Sequence, residues 1–484
     1  MKNIVSQIRA GMPKTIVVVG DLMLDEYIIG QVGRVSPEAP VPILKEDCCE
    51  WALGGAANVA ANCKHVGCDV KLVGVIGAHD SAGVKLLEKL REVGIDQDCI
   101  VKSSSRITTC KRRMMAKNHQ LLRVDNEVTA PMTEQEYTQV TEHIDSVLTQ
   151  DSVLIISDYA KGIITARLMK YIFAKTQVLK NIVIIDPKGP DFEKYKGANY
   201  LKPNAKEFAH MVSYFNIDTS ISLVEQGRAI CKSLNLTGLF VTLGENGIHF
   251  VSQSNDYFSP AKICEVYDIT GAGDTVVAFL ALGLAHNFSI EDCLLMANRA
   301  ASVAISHVKT YAVSLDELID RHYEPTEKIF YDWTVCKIEL DWVRRNGKKV
   351  VFTNGCFDIL HSGHVHLLKE AKKLGDILVL GINTDDSIKR FKGPSRPINM
   401  LADRACVVAA LGVIDFVVVF DQDTPKELIE YLKPDVLVKG GDYSIDKIAG
   451  ASFVKSYGGD VRVIDLVREK STTCIIKKIS EIKV

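Results

Sequence analysis

Asp268-Ile269-Thr270-Gly271-Ala272-Gly273-Asp274 leads directly into an apolar, helix-compatible run that opens at Thr275 and extends through Val276 to Ala285. Glycines in such a turn let backbone N–H groups approach a phosphate closely, and the amino end of a helix adds partial positive charge. The carboxylate of Asp274 then stands where it accepts the proton of a hydroxyl attacking a terminal phosphoryl group, and little other covalent chemistry is asked of the protein. This is not a Walker loop. Taken alone, a Gly-x-Gly turn with an aspartate reads better as a tight strand-to-helix connection, so its weight comes from what surrounds it.

Short β-branched runs recur on both sides of the turn: Thr15 to Val19, ending at Gly20-Asp21, then Val70 to Val73, Val153 to Ile156, Ile182 to Ile185 and Leu239 to Thr242. Helical patterns lie between most of them, which predicts a mostly parallel sheet covered on both faces, with ligands at the carboxyl ends of the strands. Two segments break the rhythm. Tyr27 to Leu44 is rich in Gly, Pro and Val, and Thr108 to Val124 reads as two strands around Lys117-Asn118-His119-Gln120. Together they predict a small lid sheet, and an exposed apolar sheet invites pairing with a second copy. After Val313 the pattern lapses into polar, proline-bearing Arg321 to Lys328, where a domain boundary is expected. Strands resume at Lys349 to Phe352, Ile377 to Ile382, Phe416 to Phe420 and Val436 to Val438, as a smaller α/β unit. The expected division is 1–325, a linker and lead-in helix over 326–345, and 346–484.

The smaller unit carries a second signature, Thr353-Asn354-Gly355-Cys356-Phe357-Asp358-Ile359-Leu360-His361-Ser362-Gly363-His364. Imidazoles three positions apart project from one side of a helical turn. At a helix amino terminus they face an anion and donate to oxygens whose charge grows as pyrophosphate departs. Zinc is the alternative for a His-x-x-His pair, but no Cys, Asp or Glu lies nearby at the usual ligand spacing.

The chain has 484 residues and 47% apolar content, enough for two or three domains with their own cores. Its 58 basic and 60 acidic residues nearly balance, which argues against a bulk electrostatic grip on nucleic acid or an anionic membrane and favours small substrates. Met1 to Lys14 lacks the apolar core of a signal peptide, and Val276 to Ala285 is too short to span a bilayer, so a cytoplasmic protein is expected. Thirteen cysteines without a Cys-x-x-Cys pair, several in apolar runs such as that around Cys406, read as reduced, buried small hydrophobes.

Leu53-Gly54-Gly55-Ala56-Ala57-Asn58-Val59-Ala60, Lys202-Pro203-Asn204-Ala205-Lys206-Glu207 and the Asp274 turn together resemble the ribokinase-like (PfkB) carbohydrate kinases over the first two thirds of the chain. The resemblance implies a three-layer α/β domain with a β lid and Asp274 as base. It implies Asp21, Gly54, Gly55 and Asn58 at the sugar, and Asn204, Ala205, Lys206 and Glu207 at the nucleotide phosphates and magnesium. Gly244, within Gly244-Glu245-Asn246-Gly247, and Gly271, Ala272 and Gly273 would shape the nucleotide pocket; a hairpin turn explains the Gly244 stretch nearly as well. Asp158 and Lys161 in Ser157-Asp158-Tyr159-Ala160-Lys161-Gly162, and Lys188 in Asp186-Pro187-Lys188, follow strands, so either lysine is a candidate for a second, non-reacting phosphate on the substrate. Asp21 and Asn204 also have plain readings as a loop cap and a turn residue. Ile269 departs from the usual threonine or valine.

The Asn-Gly-x-Phe-Asp-x-x-His-x-Gly-His string resembles the cytidylyltransferase-like nucleotidyltransferases, a Rossmann-like HxGH fold. By that likeness His361 and His364 are catalytic, while Asn354, Gly355, Phe357, Asp385, Arg396, Lys439, Gly440, Asp442, Ser471, Thr472 and Thr473 serve the nucleotide. Lys392, Arg396 and Arg404 are read as either ligands or surface charges, and Glu469-Lys470 stands where related enzymes often have glycine. The two families in this order resemble the bacterial bifunctional heptose 7-phosphate kinases and heptose 1-phosphate adenylyltransferases. This implies ATP in both reactions, Mg2+ carried on its phosphates with room for Glu207, and a pathway phosphatase acting between the two steps. It also admits a monovalent cation at the kinase site and a homodimer through the lid. The alternative is another sugar kinase fused to a CTP-dependent cytidylyltransferase.

Overall fold

The computed structural model describes residues 1–484 except 12, 118, 263, 320–324, 346, 442–443 and 465–484. Two compact units emerge, Gly11–Leu318, and Ile319–Val484 together with Met1–Ala10.

In the larger unit, nine strands form one sheet in the order Asp256–Ser259, Ile248–Val251, Gly238–Thr242, Tyr200–Leu201, Ile182–Asp186, Val153–Ser157, Thr15–Gly20, Asp69–Gly77, Ile100–Ser103. All five anticipated runs are strands of this sheet, and each pairs in parallel with at least one neighbour in it. Their Val and Ile side chains are buried on both faces, as a sheet covered by helices on either side requires. The two strands beyond Thr242 are antiparallel additions. Gly244–Asn246 is the short turn joining the first of them, so the hairpin reading holds there.

Chain order reverses between Thr15–Gly20 and Val153–Ser157, which are hydrogen-bonded neighbours. Such a switch point leaves a crevice beyond the strand ends, and Asp21 and Asp158 are the first residues past those two ends.

The lid is a four-stranded sheet in the order Pro42–Gly55, Leu22–Val35, Thr109–Ala116, His119–Asn126. Both predicted lid segments are in it, but the first hairpin runs farther than expected, from Leu22 to Gly55. At its base the lid is buried (Leu22, Met23, Leu24, Tyr27), whereas every residue of His119–Asn126 is exposed.

The smaller unit has six parallel strands in the order Ile329–Phe330, Phe416–Phe420, Ile377–Asn383, Val350–Gly355, Val436–Gly440, Asp460–Ile464. Its switch point lies between Val350–Gly355 and Val436–Gly440. Residues 326–345, expected as a linker and lead-in helix, hold the helix Trp333–Arg345 and also supply the edge strand Ile329–Phe330.

The amino-terminal helix Lys2–Gly11 was expected within the first domain; its residues through Ala10 group with the smaller unit. Arg9 is ion-paired with Glu339, which is 0% exposed, and its guanidinium lies 4.9 Å from the ring of Trp342. Ser6 donates to the other oxygen of Glu339 at 2.9 Å. Breaking a buried pair from one side strands the other charge. Glu339→Ala is therefore expected to lower the unfolding free energy of this unit by about 3 kcal/mol, read by calorimetry as an earlier transition, with sugar phosphorylation retained below it.

Every described cysteine is free. Cys406 corrects the expectation of burial, because it is exposed. On the helix Leu401–Ala409 the inward positions are Arg404, Ala405, Val408 and Ala409, and the apolar run is one face of an amphipathic helix with Cys406 on the other.

Candidate active sites at the two switch points

The helix carrying Asp274 starts at Ala272, three residues earlier than predicted, with Gly271 as its cap at φ 80°. A Cβ on Gly271 would come within 2.7 Å of the Asn58 side chain, so glycine is required there for both conformation and space. Asp274 is thereby in the first turn and 2% exposed. Asn58 Nδ2 donates to one carboxylate oxygen at 2.9 Å, and the Tyr159 hydroxyl donates to the other at 2.7 Å. Asn62 in turn holds the Asn58 carbonyl at 3.0 Å. Burial raises the Asp274 pKa, opposed by the Asn58 and Tyr159 hydrogen bonds and by Lys202.

Beside this turn lies a second buried group. Lys202 Nζ is 3.0 Å from Asp186, and a Cβ on Gly273 would stand 3.4 Å from that same ammonium. Gly273 thus leaves the backbone open toward a buried cation, as phosphate approach demands. Burial pushes Asp186 up to about 7, with Lys202 opposing and Glu207 and Asp274 reinforcing the rise.

Asn204 and Glu207 form a reciprocal capping box at 2.9 Å each way, and the remaining Glu207 oxygen takes Lys188 at 2.7 Å. Ala205 and Lys206 are the first two residues of the helix so capped.

The sugar-side candidates divide. Gly54 and Gly55 end the lid strand, Gly55 at φ 53°, and lead into the helix Ala56–His65 that presents Asn58. The carboxylate of Asp21 accepts from the backbone amides of Tyr159, Lys161 and Ile163 at 2.7, 3.1 and 3.4 Å, so its lone pairs shape the 159–163 turn. Burial raises its pKa to about 6, with Asp158 adding to the rise and the amides opposing it. Asp158 is held by Lys194 and Tyr195 at 2.6 and 2.7 Å. Lys161 pairs with Glu127 at 2.7 Å.

In the smaller unit, Asn354 and Gly355 close the strand Val350–Gly355, and Phe357 takes φ 47° in the following loop. His361 caps the helix Ser362–Lys372, as the spacing predicted, and its ring stacks on His364 with centroids 3.8 Å apart. Burial drives the His364 pKa down to about 4, aided by the neighbouring His361 and by Lys392. Lys439, one residue from the end of its strand, donates to Asn354 Oδ1 at 3.1 Å and joins the two sides of the switch point; Gly440 follows it.

Arg404 is 2% exposed and bonds the carbonyls of Asn399, Cys356 and Asn383 and the carboxylate of Asp385, at 3.0, 2.8, 2.9 and 2.6 Å. It is a buried brace for the signature loop, which decides against the surface-charge reading. Arg396 is similarly tied to buried Asp358 at 2.7 Å. Asp442, Ser471, Thr472 and Thr473, like Glu469 and Lys470, lie outside the described residues. Among the described residues no group of three or more His, Cys, Asp or Glu side chains is arranged to hold a metal ion.

Tyr159, Asp186 and Lys202 stood inside quoted motifs without an assigned role. Their signal was positional: each lies at or just beyond the carboxyl end of a parallel strand.

Residues 13–317 match the pfkB family carbohydrate kinases, and residues 352–476 match the cytidylyltransferase-like family. Fold and sites together define a bifunctional transferase, a carbohydrate kinase joined to a nucleotidyltransferase. The chain is 41% identical over 470 residues to the bifunctional protein HldE of Wolinella succinogenes, covering 96% of this chain and 98% of that one. It is 42% identical over 484 residues to the HldE of Geobacter metallireducens, covering 99% and 98%. The chain belongs to the HldE family, the bifunctional heptose 7-phosphate kinases and heptose 1-phosphate adenylyltransferases of ADP-heptose biosynthesis. Phosphofructokinase-2 from Escherichia coli, solved with substrates and products, shares the larger unit's fold at TM-score 0.54 and 21% identity, over 63% of this chain and 97% of that one.

Proposed function

We propose that Asp274 accepts the proton of the anomeric 1-hydroxyl of D-glycero-β-D-manno-heptose 7-phosphate as that oxygen attacks the γ-phosphorus of ATP. The bond from the γ-phosphorus to the β,γ-bridging oxygen breaks, ADP leaves, and the 1,7-bisphosphate forms. The observation that carries this reading is the buried Asp274 carboxylate in the first turn of its helix, oriented by Asn58 and Tyr159. Gly271 and Gly273 offer backbone N–H groups to the transferred phosphoryl, and Lys202 offers a buried positive charge beside them.

Magnesium would arrive on the triphosphate, and the neighbouring carboxylates Asp186 and Glu207 would help to hold it there. Bound there, it screens polyphosphate charge. Asn204 and Glu207 hold the helix start in place through their capping box.

After a separate phosphatase removes the 7-phosphate, an oxygen of the 1-phosphate attacks the α-phosphorus of a second ATP. The α,β-bridging bond breaks and pyrophosphate leaves with the oxygen. His361 and His364 donate to the oxygens that gain charge in that step. The imidazole of His364, held neutral by burial, gains its proton most readily when the triphosphate supplies the counter-charge.

The reading places both reactions in the cytoplasm, where ATP is available; no helix among the described residues is long and apolar enough to cross a membrane. A homodimer through the lid is supported by Leu122 and Val124, exposed apolar residues on its outermost strand. Mass spectrometry of products from ATP, magnesium and heptose 7-phosphate tests the whole sequence. A bisphosphate is expected without a 7-phosphatase and ADP-heptose with it.

Tyr159→Phe separates orientation of the base from folding. Its hydroxyl stabilises the charged form of Asp274, so its loss raises the carboxyl pKa further. Kinase turnover at pH 6.5 is expected to fall about tenfold, the worth of one hydrogen bond to a charged group, and to approach the wild-type rate at alkaline pH. A uniform loss across the pH profile would refute the assignment.

A further inference from the structure

The inner face of the lid carries more positive charge than its own carboxylates neutralise. Lys111 and Arg113 lie two apart on the strand Thr109–Ala116 and so share a face. The register sets Arg113 opposite Arg123 and Lys111 opposite Asp125 on the next strand, and Lys111 beside Asp25 on the other side. Three of the local cations are paired: Arg113 with Asp25 at 2.6 Å, Arg123 with Asp125 at 2.8 Å and Lys161 with Glu127 at 2.7 Å. Lys111 has no carboxylate within ion-pair distance among the described residues, although it is half-buried and ringed by the other three cations.

Where Lys111 points is also fixed. Its ammonium lies 5.2 Å from the centre of the Tyr159 ring, and the hydroxyl of that ring is bonded to Asp274. The uncompensated charge therefore borders the crevice that holds the base. Burial depresses its pKa, opposed by the nearby carboxylate of Asp25, which Arg113 already holds, and the neighbouring cations add to the fall. Lys188, the other sequence candidate, is already committed to Glu207 on the nucleotide side.

We propose that Lys111, supported by Arg123 and Lys161, forms the subsite for the sugar's non-reacting 7-phosphate, and so selects a phosphorylated over an unphosphorylated heptose. The proposal rests on the kinase reading and adds the residues that recognise the distal dianion. Arg113 is excluded from direct contact because its pair with Asp25 is buried, whereas the pairs of Arg123 with Asp125 and of Lys161 with Glu127 are partly exposed and can open to a phosphate; Arg113 acts by holding Asp25 out of ion-pair distance of Lys111.

The test compares wild type with Lys111→Met and Lys111→Arg in the full chain. Binding of heptose 7-phosphate and of unphosphorylated heptose is measured by calorimetry, and kinase kcat/KM on both sugars is measured alongside. For Lys111→Met, affinity for the 7-phosphate is expected to fall about 50-fold, the scale of one charge-assisted contact, while affinity for the unphosphorylated sugar changes less than about threefold. Lys111→Arg should recover most of the loss. KM for ATP and adenylyl transfer should stay at wild-type values.

Equal losses on both sugars, or undiminished affinity for the 7-phosphate, would overturn the subsite. Arg123→Met, at an exposed position, should weaken only the phosphorylated sugar, and no change there removes Arg123 from the site. Because binding is read apart from turnover, a wild-type chain that binds the sugar phosphate without phosphorylating it would fail the kinase assignment and leave the subsite standing.

Discussion

Asp274→Asn is expected to cut sugar phosphorylation by about 10³-fold or more while adenylyl transfer to heptose 1-phosphate continues at the wild-type rate. The substitution keeps shape and burial but removes the proton acceptor. Its structural cost is small because the partners adapt. The Tyr159 hydroxyl both donates and accepts, and the Asn58 amide can turn its oxygen toward the new NH2 group. What remains is the contribution of the glycine turn and Lys202 to phosphate binding, which acts on ground state and transition state alike. KM for ATP should therefore change little. Separate assays of the two half-reactions decide it: loss of both activities would contradict two independent sites, and a kinase retaining a tenth of its rate would remove Asp274 from the role of base.

The mirror-image experiment is His361→Ala and His364→Ala. Each is expected to lower adenylyl transfer by about 10²- to 10³-fold, the loss typical of one preorganised donor to a developing charge, with the kinase untouched. The stacking of the two rings, centroids 3.8 Å apart, makes them a unit. Removing either leaves the other without its neighbour at the helix start, so the double variant should lose little more than the worse single one. His361 caps this helix without a side-chain cap hydrogen bond, so replacing it leaves the cap unchanged and isolates the chemistry. Product analysis by chromatography of ADP-heptose and pyrophosphate gives the rates; additive losses, or a fall in phosphorylation, would argue against the shared role.

The β-branched runs, the two signatures and the strand ends behind them were legible because they are local. Val and Ile clusters of four or five residues have few folded options besides a buried parallel strand, and the glycines of 271–273 and 54–55 need conformations or clearances that other residues lack. His361 at a helix start followed from spacing alone. The short edge strands at Ile100–Ser103 and Asp460–Ile464 were missed, since few residues and one-sided pairing leave little pattern.

Sequence by itself determined the two α/β units, the kind of chemistry in each, and the three residues proposed to perform it. Only tertiary structure decided which charges are spent. Asp21, a sugar candidate by motif, gives its oxygens to three amides of the 159–163 turn, and Arg404 turned out to brace backbone carbonyls rather than sit in solvent. It also carried the first ten residues to the unit that the last third of the chain builds, through Arg9 and Glu339. These outcomes depend on partners brought together by the fold, as far as 330 residues apart for Arg9 and Glu339, and the strength of a charge depends on who is beside it and how much water is left. Periodicity and motif spacing hold neither piece of information; Lys111, one basic residue among three in Lys111-Arg112-Arg113, acquires its distinction only when the lid folds and leaves it without a counter-ion.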